Sequence, residues 1–186
     1  PADFAARVPQ VDLSRGFMYV SAMRVIRERE IFLRLRERLQ ETEGGEARNR
    51  LLGETHSVLA DISMLQNDEA FLGHLRAARD LLPEGSFVRK PGLRFVDNND
   101  IFFLPNEEPG QIDSMLDKIM EASRYLEAIS DGSGYGFEWL YAAEAAFYTG
   151  KFDEAVACCF RAIRKGGEKA QHDIVCNARY LLMRVF

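Results

Sequence analysis

The chain has 186 residues, 47% of them hydrophobic and 28% charged, which is enough apolar material for a continuous core and argues against disorder. A net charge of −5 and a pI near 5.3 argue against direct nucleic-acid contact, which calls for a basic face. No apolar run approaches the length of a membrane span and no signal peptide is visible, so a cytoplasmic chain with no membrane partner is expected.

Residues 1–14 read as a lead-in containing Pro9, with Ser14 as a helix cap. Met18, Ala22, Val25 or Ile26, Phe32 or Leu33, and Leu39 recur at helical spacing and predict a helix over about 15–42. Glu43-Gly44-Gly45 ends it. Residues 1–50 carry ten Arg against eight acids, and Arg24, Arg27, Arg29, Arg34, Arg36 and Arg38 supply most of the excess. Glu28, Glu30 and Glu37 are mixed among them, which reads as a solvated face.

A second helix is expected over 46–65 on the stripe Leu51, Leu52, Val58, Leu59, Ile62 and Leu65. Gln66-Asn67-Asp68 turns the chain, with Asn67 or Asp68 as cap of a third helix that runs to Leu82 and stops at Pro83-Glu84-Gly85. So short a turn predicts an antiparallel hairpin. A long irregular loop follows at about 84–110, punctuated by Pro91, Gly92, Pro105, Pro109 and Gly110. Ile101 to Leu104 within it is expected as an extended segment packed on the helices, since no partner strand is in sight.

A fourth helix is expected over 111–130, with Ile112, Met115, Ile119, Leu126 and Ile129 on one side. Asp131-Gly132-Ser133-Gly134 breaks the chain and reads as a flexible joint. Helices follow over 136–148 and 152–165, joined by Thr149-Gly150-Lys151. Gly166-Gly167 is expected to end the second of these, and a seventh helix starts near Glu168. The fold class is therefore all-α, with antiparallel neighbours.

Residues 139–167 resemble a tetratricopeptide repeat (TPR), a helix hairpin marked by W-x2-L-G-x2-Y, then A-x3-F, then P. Trp139 stands at the Trp, Ala142 and Ala143 at the Leu and Gly, and Ala146 at the Tyr. Gly150-Lys151-Phe152 matches the turn, Ala155 and Ala162 the second-helix Ala positions, Cys159 the Phe and Gly167 the Pro. Small residues at Ala143, Ala155 and Ala162 let two backbones approach, with Trp139 and Phe152 filling the gaps. A weaker echo spans Asn67 to Pro83 through Ala70, His74 and Ala77. The resemblance implies TPR-like hairpins forming a short α-solenoid, a single repeat domain over 15–186. In such solenoids the first helix of a hairpin lines the concave face, which makes Phe137, Leu140, Glu144 and Phe147 the candidate ligand or partner surface; the alternative, favoured because aromatic residues at helical spacing are usually core, is that they pack against the helix 111–130 or the 84–110 loop.

A narrower resemblance covers 108–164. Glu108-Pro109-Gly110-Gln111, a helix, Asp131 to Gly136, Glu138 to Ala145 and Tyr148 to Ala155 are similar to the repeat region of MalT-like LuxR-family bacterial regulators. That likeness implies a signal-sensing and self-associating segment, responsive to a small-molecule inducer or a peptide. It would couple an ATPase module on one side to a helix-turn-helix domain on the other. Pro1 in place of Met and the apolar ending Met183-Arg184-Val185-Phe186 fit that expectation of a longer multidomain chain.

Chemistry-bearing motifs are sparse. G-x-x-x-x-G-K-[ST] does not occur, and Gly166-Gly167-Glu168-Lys169 lacks its spacing. His56, His74 and His172 show no metal-ligand spacing with each other or with Cys158, Cys159 and Cys176. The adjacent, odd-numbered cysteines suit small buried thiols in a reducing compartment. No nucleophile signature is present, so no catalytic, metal or cofactor site is expected.

Overall fold

The computed structural model describes residues 13, 25–66, 68–87 and 112–186. Among the described residues the chain is all-helical, without strands: α1 Val25–Glu41, α2 Glu46–Leu65, α3 Ala70–Leu81, α4 Ile112–Ile129, α5 Phe137–Tyr148, α6 Phe152–Glu168 and α7 His172–Val185. Ser14, the first turns of the first predicted helix, Asn67 and residues 88–111, with the extended segment expected at Ile101 to Leu104, lie outside the described residues. The chain divides into two compact units, residues 1–88 and 89–186.

In the first unit α1 and α3 both pack on α2. Phe32, Leu35 and Leu39 of α1 meet Leu52, Val58, Leu59 and Ile62 of α2, with Leu13 joining the cluster. Fully burying side chains of this kind contributes about 1.5–3 kcal/mol each relative to leaving them in water. Contacted from both sides, α2 also buries polar residues: Glu54, Thr55, Ser57 and Ser63 are inside. Buried polar groups need partners. Thr55 Oγ1 donates to the Leu51 carbonyl at 2.7 Å, and Glu54 accepts from Ser86 Oγ at 2.5 Å and the Phe87 N–H at 2.8 Å. Arg48 of α2 reaches back to the end of α1, donating from Nε to the Leu39 carbonyl at 2.7 Å. A cation there satisfies carbonyls that have no partner within the helix. The cap position of α3 is Glu69 and not Asn67 or Asp68, and the Glu69 side chain makes no cap bond; Asp68, one residue earlier, accepts the Ala70 N–H on its Oδ1 at 2.9 Å.

In the second unit α5 is the hub, packed on α4, α6 and α7. Met115, Ile119 and Ile129 of α4 are buried as their spacing predicts, joined by Ala122 and Ser123. The inner face of α6 is Ala155, Cys158, Cys159, Ala162 and Gly166, all small, so its backbone can lie close to its neighbours. α7 buries Ile174, Ala178 and Leu181 and touches both α5 and α6.

The helix stops are decided locally. At the end of α5, Gly150 takes φ 75°, and the bonds Gly150 N–H to Phe147 O (3.1 Å) and Lys151 N–H to Ala146 O (2.8 Å) close the turn. Glycine meets no penalty in this left-handed position. The end of α6 departs from expectation. Gly166 and Gly167 lie inside the helix, and the left-handed stop falls on Ala170, φ 53°. There Ala170 N–H reaches Gly167 O at 3.4 Å and Gln171 N–H reaches Gly166 O at 2.7 Å. Gly166 is used for room: a Cβ there would stand 3.2 Å from Val175 Cγ2 and 3.3 Å from Ile174 Cβ, where α7 crosses α6. Packing against α7 therefore carries the helix through two glycines that the sequence alone reads as its end.

Candidate functional site: an ion pair beside the glycine-rich turn

α5 contains only two charged residues, Glu138 and Glu144, in an otherwise apolar or aromatic run. A helix apolar on all sides is buried on all sides, so both acids are carried inside. Glu138 is 3% exposed. Its Oε1 accepts from Lys165 Nζ of α6 at 2.5 Å, while Oε2 is buried with no hydrogen-bond partner. The Lys165 ammonium also stands 4.4 Å over the ring of Tyr135. Burial alone would lower Lys165, but the hydrogen bond and charge of Glu138, with Glu127 and Tyr135 behind it, hold it above the ordinary lysine value. Glu127 at the end of α4 is the second acid of the cluster. Burial pushes its carboxyl up, Lys165 pulls it back, and Glu138 adds to the rise.

The turn beside this cluster, expected as a flexible joint at Asp131-Gly132-Ser133-Gly134, carries its own hydrogen bonds. Gly132 N–H reaches Glu127 O at 3.0 Å, Ser130 Oγ donates to Ser133 O at 2.8 Å, and Phe137 N–H reaches Gly134 O at 2.8 Å. Gln171, ahead of α7, accepts the Gly134 N–H at 3.0 Å through its side-chain oxygen. That amide is thereby consumed by the fold.

Of the candidate residues for a ligand or partner surface, Phe137, Leu140 and Glu144 are buried within the unit. Phe147 is half-buried, with the Arg184 guanidinium 4.6 Å over its ring and the Phe152 ring edge-on at 5.8 Å. Among the repeat-packing positions, Ala143, Ala146, Ala155 and Ala162 are buried, and Trp139 is half-buried under Arg161, 4.7 Å over its ring. Phe152, the first residue of α6, is 51% exposed and fills the hairpin only in part, through its edge-on contact with Phe147. Phe160, two turns on, is 59% exposed.

Cys158 and Cys159 are buried and Cys176 is exposed, all three as free thiols. Burial is the main reason that Cys159 is pushed up to about 12 and Cys158 is raised, so both stay protonated and are poor nucleophiles. Among the described residues no group of three or more His, Cys, Asp or Glu could hold a metal ion, and no helix is long and apolar enough to cross a membrane. A shallow groove of about 450 Å³ lies in the first unit between the start of α2 and the end of α3, floored by Leu81 and Leu82 and edged by Glu46, Arg50, Asp80 and Glu84. What the site of the second unit offers is a lock: one lysine on α6 held between two acids, on α4 and α5.

Compared with known proteins, the chain matches no family model, no curated protein and no solved structure. Glu138, Lys165 and Gln171 escape sequence reasoning because each looks like an ordinary helix-surface residue. The available signal was the composition of α5, whose two acids have nowhere exposed to go.

Proposed function

We propose that the chain is a helical-repeat interaction segment of TPR-like design. The carrying observation is the arrangement of α5, α6 and α7: a hairpin closed through Gly150 on buried Ala143, Ala155 and Ala162, with the next helix laid against both members. Stacking of that kind lets each repeat bury the face its neighbour leaves open, and it builds extended binding surfaces. The residue pattern over 108–164 supports a finer reading: the signal-sensing and self-association segment of a cytoplasmic MalT-like LuxR-family regulator. In that reading its partners are its own ATPase and helix-turn-helix domains, a second copy, and a small inducer or peptide, with no cofactor held here. An inducer would act by favouring one packing of the repeats over another.

The finer reading is tested on the full-length gene product, which must carry a P-loop upstream and a helix-turn-helix downstream; lack of either ends it. A scaffold that binds a peptide of a partner protein is the second reading. The burial of Phe137, Leu140 and Glu144 closes that face of α5 to an inducer and to a peptide alike, so in either reading the binding surface lies elsewhere on the repeats. A thermal-shift screen separates the two: stabilisation by sugars, amino acids or aromatic metabolites supports a sensor, because a ligand binding only the folded state raises the melting point. A response to peptides alone supports the scaffold.

A further inference from the structure

We propose that His56 and His74 form an acid-sensitive latch that holds α3 on α2 at neutral pH and lets it go on acidification. The inference concerns the first unit and is independent of the function proposed above. His56 lies in the middle of α2 and His74 in the first half of α3, and their Nδ1 atoms face each other at 2.9 Å. The rings are tilted by 46° with centroids 5.1 Å apart. His74 is buried and His56 half-buried.

The proton inventory follows from this geometry. In the neutral pair one Nδ1–H donates and the other Nδ1 accepts, whichever ring holds which tautomer. A first proton from solvent adds to the Nε2 of the donor ring and leaves the Nδ1–H···Nδ1 bond in place, now charge-assisted. A second proton has only one vacant site, the accepting Nδ1 itself. Its arrival removes the acceptor and sets two N–H donors and two positive rings against each other at hydrogen-bond distance. The contact cannot persist in that state, and α2 and α3 must part at this point.

The surroundings sharpen the response. Arg36 of α1 faces both rings, and its Nε is buried without a hydrogen-bond partner. Arg29 of α1 also faces His74 but is ion-paired with Asp68, an acid that raises His74, which favours His74 as the first to charge. Burial, then His74, then Arg36 hold His56 down at about 4, against an ordinary value of 6.5. Burial and Arg36 lower His74 as well. A base held below its ordinary value stabilises the fold fully above pH 6.5, and that contribution is lost as pH falls from 6.5 towards 4.

Amide hydrogen exchange on the full chain, from pH 7.5 to 4 and corrected for the intrinsic rate, tests the latch. Protection of the α3 amides is expected to fall by up to about tenfold per pH unit below 6.5. His56→Asn, which puts a neutral amide near the Nδ1 position, is expected to flatten that dependence. Unchanged α3 protection between pH 7 and 4 in the wild type overturns the proposal, as does a parallel fall in wild type and variant. Imidazole NMR titration of the wild type needs no variant to fold. A ring that charges well below 6.5, together with the loss of α3 protection, supports the latch, and two rings titrating near 6.5 while α3 stays protected overturn it.

Discussion

Replacing Lys165 with Met removes the one side-chain hydrogen-bond donor to Glu138 among the described residues while keeping most of the aliphatic stem. Nζ sits 2.5 Å from Glu138 Oε1, the acid's side chain is 4% exposed, and its Oε2 already lacks a partner. Breaking one side of a buried pair costs about 3–5 kcal/mol, because the remaining charge is left uncompensated. Urea unfolding followed by circular dichroism at pH 7 measures the loss. Replacing both partners, Glu138→Leu with Lys165→Met, is expected to recover most of the loss, since buried pairs exchanged for apolar residues are often neutral. A loss for Lys165→Met below about 1 kcal/mol at pH 7, or a double variant no more stable than Lys165→Met alone, would refute the claim that this pair locks α5 to α6.

Three further outcomes follow from the second unit. Ala155→Leu should overpack the α5–α6 interface and destabilise the chain by roughly 1–3 kcal/mol in the same assay; a neutral result would show that the helices are not closely apposed there. Ala170→Gly should stabilise by about 1 kcal/mol, because alanine at φ 53° bears a steric cost that glycine does not, and a loss of stability would contradict the left-handed stop of α6. Cys176 should react with a thiol reagent at neutral pH in the native protein, while Cys158 and Cys159 wait for unfolding; prompt labelling of all three would mean that α6 is not sealed by its neighbours.

Most helix positions were legible from one-dimensional rules. The stripe Leu52, Val58, Leu59 and Ile62 places α2, and Met115, Ile119 and Ile129 place α4, because a buried face repeats every three to four residues wherever only one side of a helix is covered. The same rule fails to find Glu54 inside α2 or Glu138 inside α5. These helices are covered on more than one side, so position along the helix no longer tells inside from outside. Arg36 is a related case. Mixed charge along α1 reads as a solvated face, yet its Nε is buried, since a long side chain follows the packing above it and not the period of its helix. Phe137, Leu140 and Glu144, candidates for a surface or for core packing, went inside for the same reason as Glu138: in a hub helix the faces a solenoid would leave open are closed by neighbours.

What the sequence determined by itself is local: the helices, the turn at Gly150, the small residues that bring α5 and α6 together, and the absence of a recognised nucleophile or phosphate-binding motif. These depend on backbone preference and on patterns within a few residues. Only the tertiary structure decided that Gly166 continues a helix, that Lys165 meets Glu138 across 27 positions, and that His56 faces His74 across 18. Each depends on a second helix arriving at a particular distance, and the free energy of burying or pairing a charge exists only once both helices are in place.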